Sequence, residues 1–226
     1  MRPLSLLETR VLGVLIEKQH TVPDAYPLSL NSLTLGCNQK SARDPVIAVS
    51  EEDVQIAIDA LKYLGLVMEG SASRVTRYQH NTERVLRLPT QSVAILATLM
   101  LRGPQTSGEL RITTERLHKF ADISAVDGFL DELSTRSADA GGALVVKLAR
   151  QAGSREARWA HLLSGEMAIP VTATDAAGES LTQSAERVTL SEVAILKNEI
   201  DKLSSALTAL QHEVRSIKDA LGMDEK

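Results

Sequence analysis

Aromatic side chains make up only 3% of this 226-residue chain, and Trp159 is the sole tryptophan. So few rings make a poor stacking platform for bases. Cysteine is almost absent. Cys37, the single one, can form neither an internal disulfide nor a cysteine-rich zinc site, and its expected place is as a small packed apolar group. Long hydrophobic runs are missing too. The longest, residues 11–16, falls far short of the roughly 20 residues a membrane helix requires, and no cleavable signal precedes it, so a cytoplasmic protein with no membrane partner is expected. There is no excess of positive charge either. Residues 1–165 hold 19 Lys and Arg against 18 Asp and Glu, and residues 166–226 hold 6 against 11, which places the net charge of −4 in the tail. A near-neutral body decides nothing about nucleic acid, because binding depends on where the cations cluster.

Catalytic fingerprints are also lacking. There is no nucleophile elbow, no His-Glu-x-x-His helix, no dinucleotide fingerprint and no Gly-rich Lys-Ser/Thr loop. No pair of histidines sits at metal-ligand spacing: His20, His118 and His212 are isolated, and His80 and His161 read as structural hydrogen-bonding groups. The expectation is no enzyme, no metal and no cofactor.

What is present reads as a helix-rich globular chain, with 43% hydrophobic and 24% charged residues and a length that suits two domains. Leu4, Leu7, Val11, Val14 and Leu15 recur at helical spacing, and Ser5 with Glu8 makes a capping box. After the prolines at 23 and 27 a second helix is predicted over 28–37. A polar run, 38–44, leads to Pro45, and a third helix opens at Ser50 with Asp53 and an apolar face of Val54, Ala57, Ile58, Leu61 and Leu64. Strands are predicted at 66–69 and 74–80. Three helices followed by a hairpin is the order of a winged helix.

The same order is predicted again. Residues 11–16 match residues 95–100 at an offset of 84, and Lys18 is answered by Arg102. Thr106 and Glu109 form a capping box, Ser124 with Asp127 is expected to open the next helix, and strands follow at 143–150 and 155–161. Arg74, Arg77, Tyr78 and His80 reappear as Arg155, Arg158, Trp159 and His161, each 81 residues later, so two copies of one module are expected. Tyr78 and Trp159 are read as anchors of their strands in the core.

Residues 166–189, rich in Ala, Thr, Ser and Gly, read as a flexible linker. Beyond it Val193, Leu196, Ile200, Leu203, Leu207, Leu210, Val214, Ile217 and Leu221 alternate steps of three and four, the seam of a parallel two-stranded coiled coil and hence of a homodimer. The fold class expected is α+β, mainly helical: two tandem winged-helix domains at 1–88 and 89–165, a linker, and a coiled-coil helix at 190–222.

The runs 16–19 (Ile-Glu-Lys-Gln), 26–31 (Tyr-Pro-Leu-Ser-Leu-Asn), 37–45 and 101–111 resemble signatures of the YceH-like proteins, uncharacterised protein family 0502. The resemblance covers about residues 4–163. It implies a bacterial cytosolic protein of tandem winged-helix fold and carries no activity or catalytic residue with it.

Two readings of function follow. In the first, the chain is a dimeric DNA-associated regulator. Third-helix reading of bases is disfavoured, since the outward face carries Glu52, Gln55, Asp59 and Lys62 in one copy and Asp127, Asp131 and Glu132 in the other, and carboxylates repel phosphates. The contacts would instead come from the wings, Arg74, Arg77, Lys147, Arg150, Arg155 and Arg158, and from Lys40 and Arg43 of the polar loop. In the second, the acidic helices, with Glu52, Asp59, Asp131 and Glu132, and the coiled coil dock protein partners without nucleic acid.

Overall fold

The computed structural model describes residues 1–70, 75–150 and 156–165. Arg74, Arg155 and the predicted linker and coiled-coil positions from Val193 to Leu221 lie outside the described residues.

Within them the chain is α+β. Helix α1, Leu6–Thr21, starts at the capping box of Ser5 and Glu8. A single 3₁₀ turn, Pro23–Ala25, leads to a two-residue strand β1, Leu28–Ser29, and to α2, Leu30–Cys37. The second helix is thus shorter than its pattern predicts. Ser29 caps it, its Oγ accepting from the Ser32 amide, and Leu28 is left extended to pair with a later strand. Helix α3, Glu51–Tyr63, opens on the Ser50–Asp53 capping box, and strands β2, Val67–Gly70, and β3, Arg77–His80, follow. They form one antiparallel sheet in the order β1, β3, β2.

A short helix α4, Thr82–Leu86, ends with Arg87 in the left-handed region and leads into the second set. Helix α5, Thr90–Arg102, is followed by α6, Ser107–Thr113, opening on the Thr106–Glu109 capping box, and α7, Ile123–Ser134. The start of α7 differs from expectation. Asp122 caps it by accepting from the Ala125 amide, while Asp127 turns to the Ser107 hydroxyl of α6. Strands β4, Val145–Lys147, and β5, Trp159–His161, pair antiparallel.

The order of three helices and a hairpin therefore occurs twice, and one backbone detail is shared. Leu28, just before the cap of α2, pairs with Tyr78 of β3, and Gln105, just before the cap of α6, pairs with Trp159 of β5. Tyr78 and Trp159 are both buried, each anchoring its hairpin to its helices.

One continuous aliphatic core runs through both sets, centred on α1 against α5. The helices approach closely at Gly13, where a Cβ would stand 2.9 Å from Leu101 Cγ. Hydrogen bonds tie the same joint: the Leu4 amide donates to the Leu163 carbonyl and the Asp44 amide to the Leu101 carbonyl, each at 2.8 Å. No helix among the described residues is long and apolar enough to cross a membrane.

Candidate functional site

Two of the three described wing arginines, Arg77 and Arg158, occupy equivalent places and make similar bonds. Arg77 Nη1 donates to the carbonyls of Pro27 at 2.7 Å and Ala25 at 3.3 Å. Arg158 Nη1 donates to the Pro104 carbonyl at 2.8 Å, and its Nη2 reaches Glu109 Oε1 at 3.0 Å. Each guanidinium thus holds the turn that enters its module's second helix, a task fully explained by satisfying backbone acceptors. Lys147 lies over the Trp159 ring, 5.3 Å from its centroid, and stays exposed. Arg150 and Lys40 are exposed and make no hydrogen bond or ion pair among the described residues.

The polar run after α2 is organised inward. Asn38 closes it like a clasp, its Nδ2 donating to the Val49 carbonyl at 2.8 Å and its Oδ1 accepting the Val49 amide at 2.9 Å. The Arg43 side chain is wholly buried and forks onto Glu17, with Nη2 to Oε2 at 2.6 Å and Nη1 to Oε1 at 3.1 Å, while its Nε donates to the Gly36 carbonyl. Burial works against the Glu17 charge, but the Arg43 hydrogen bonds and charge, with Lys18 beside them, hold its carboxyl below the usual range. Arg43 therefore has no free face for a phosphate in this structure.

Beneath it sits Arg10, fully buried on α1, donating to the carbonyls of Cys37 at 3.1 Å and Pro45 at 2.6 Å. Desolvation, then repulsion from Arg43, lowers its pKa. Arg10 joins both ends of the loop to the core, and reading the sequence missed it. The signal was a cation beside the apolar positions of the first helix.

The third helices face outward with a different chemistry. On α3 the exposed side chains at spacings of four, three and four are Glu52, Ile56, Asp59 and Tyr63, with Ile56 at 64% and Tyr63 at 91% exposure. The periodicity that put Val54, Ile58 and Leu61 inside left Ile56 and Tyr63 outside, so both were legible and were overlooked. On α7 the exposed residues are Ile123 in the first turn, then Ser124, Gly128, Asp131 and Glu132. Asp59 and Asp131 each follow a fully buried core residue, Ile58 and Leu130, so the two modules present an acid at the same place. The second helices add exposed Leu35 and Ile112, each two residues after a fully buried leucine, Leu33 or Leu110. Lys62 is not free, since it pairs with Glu69 and stands 3.7 Å from Asp59.

His80 and His161 are turned into the protein. Burial, with repulsion from His20, lowers His80 to about 4, and burial lowers His161 to about 4. The His80 amide donates to the Tyr26 hydroxyl, and its ring meets Gln19 and the Thr82 amide. The described residues hold no cluster of metal-ligating side chains.

The described residues thus form an α+β fold in which the order of three helices and a hairpin occurs twice, with acids on both third helices and several cations turned inward. Residues 4–154 match a family described as a protein of unknown function, DUF480. The chain is 52% identical to a UPF0502 protein of Burkholderia ambifaria and 53% identical to one of Burkholderia cenocepacia, each over 99% of this chain and 92% of the relative. It is 54% identical to one of Paraburkholderia xenovorans, over 99% of this chain and 91% of that protein. The chain belongs to the UPF0502 family.

Proposed function

We infer that this chain is a regulatory adaptor, two tandem winged-helix modules that offer their third helices to a protein partner. The observation that carries this is the α3 stripe of Glu52, Ile56, Asp59 and Tyr63. Its acids repel phosphate, while its exposed isoleucine and tyrosine are the apolar and aromatic groups that anchor protein interfaces. The complementary partner surface is basic and apolar. The seam from Val193 to Leu221 would pair two copies in the cytoplasm, doubling the number of such faces. No catalytic step is assigned.

DNA association through the wings is the second reading, favoured by the exposed charges of Lys40, Lys147 and Arg150. It loses Arg43 to Glu17, and Arg77 and Arg158 to the turns they hold.

The experiment places a photoreactive p-benzoylphenylalanine at position 63 in the full chain, in cells, and sets fluorescence anisotropy of random duplex DNA beside it between about 50 and 200 mM salt. The adaptor reading expects protein cross-links that vanish in Ile56→Asp/Asp59→Lys, and no duplex binding. Binding that weakens steeply with salt and disappears in Lys147→Ala/Arg150→Ala would overturn it in favour of DNA.

A further inference from the structure

Where the two modules meet, a cavity of about 210 Å³ opens beside the α1–α5 joint. Its lining comes from both halves: Glu17 and Lys18 from α1, Gln39 and Ser41 from the polar loop, Arg102 from the end of α5 and Arg116 from the segment after α6. The one carboxylate in this wall, Glu17, is already neutralised by the buried Arg43 fork. Lys18 touches the same carboxylate at 3.4 Å. Arg102 and Arg116 make no hydrogen bond or ion pair among the described residues. The cavity therefore carries a surplus of positive charge with two guanidinium forks unspent.

A plainer account exists for part of this. Lys18 and Arg102 sit in the last turns of α1 and α5, where cations complement the helix dipoles. It does not extend to Arg116, which lies beyond α6 and still lines the same cavity. Nor does it explain the loop between Gln39 and Arg43, where Ala42 adopts a φ of 59°, in the left-handed region that an alanine rarely occupies, at the cavity wall. Hydroxyl and amide donors from Ser41 and Gln39 complete a lining suited to an oxyanion.

We propose that this intermodule cavity is a binding site for a small phosphate-bearing anion, held by Arg102 and Arg116 from the second module and Lys18 from the first. The volume suits a free phosphate group or a small phosphomonoester and excludes a duplex. Such an anion bridges the two modules and the polar loop at once, so its binding strengthens the joint between them. This site is separate from the third-helix faces and stands whether or not they dock a partner.

The test is isothermal titration of the full chain with inorganic pyrophosphate and, separately, with inorganic phosphate, both at low salt. One saturable site per chain is expected, with pyrophosphate the tighter. Arg102→Gln/Arg116→Gln should weaken it at least about tenfold through the loss of charge-assisted hydrogen bonds. Lys147→Gln/Arg150→Gln, which removes as much charge elsewhere, should leave it unchanged. The anion should also raise the thermal midpoint of the wild type and fail to raise that of the arginine variant, whose own midpoint reports its folding. Absence of saturable binding, equal weakening by both variants, or displacement of pyrophosphate by duplex DNA would each overturn the proposal.

Discussion

Two glycines inside helices allow the α1–α5 joint to be measured without disturbing anything else. Gly13 of α1 and Gly128 of α7 are both mid-helix, and replacing either by alanine gains about 1 kcal/mol of helix propensity. They differ in what the new Cβ meets. At Gly128 nothing lies within 4 Å, so Gly128→Ala should stabilise the protein by that amount. At Gly13 the Cβ would stand 2.9 Å from Leu101 Cγ and 3.0 Å from its Cδ2, and Leu101, at 3% exposure, has little room to retreat. Overpacking of this kind costs about 1–3 kcal/mol, so Gly13→Ala should fall below Gly128→Ala by that margin and leave the protein between neutral and about 2 kcal/mol less stable than wild type. Urea unfolding is the assay, with the midpoints compared at constant slope. A cycle with Leu101→Ala sharpens it. That change alone costs about 2–5 kcal/mol, but in its background Gly13→Ala should recover most of its propensity gain, since the colliding group is gone. If Gly13→Ala stabilised the wild type as much as Gly128→Ala does, the close approach of α1 to α5 would be refuted.

Two further outcomes follow from buried titratable groups. Burial keeps His80 and His161 near 4, below the 6.5 of an unperturbed histidine, so the folded state binds fewer protons than the unfolded chain. Their stabilising contribution is complete above about pH 6.5 and is lost as pH falls from there towards 4, by up to about 3 kcal/mol for each histidine. Urea midpoints between about pH 7.5 and 4.5 should therefore decline more steeply for the wild type than for His80→Gln/His161→Gln, and equal slopes would contradict the burial. Cys37 is fully buried, and burial pushes its thiol up to about 12 despite Arg10 and Arg43 nearby. A thiol reagent such as 5,5′-dithiobis(2-nitrobenzoic acid) should label it only as fast as the protein opens, so labelling should accelerate in step with urea-induced unfolding. Rapid labelling under native conditions would show the site to be accessible.

Local events were legible in the order of residues alone. The capping boxes of Ser5 with Glu8, Ser50 with Asp53 and Thr106 with Glu109 were readable because each spans three residues and closes within its own turn. The core faces of α1 and α3 and the inward place of Tyr78 and Trp159 were readable because periodicity assigns a side without naming what lies opposite. The extended state of Leu28 and the choice of Asp122 as a cap were not. Each depends on a partner tens of residues away in sequence or on a competition between nearby caps, Asp127 being drawn off by Ser107. The fate of the charges depended on long-range packing. A list of arginines in sequence cannot separate Arg43, forked onto Glu17 and buried, from Arg150, which stays exposed, since long side chains take their direction from whichever acceptor the fold brings near. The same holds for the intermodule cavity. Lys18, Arg102 and Arg116 share a wall because α1 packs across α5, and that packing arises where Gly13 lets two helices close.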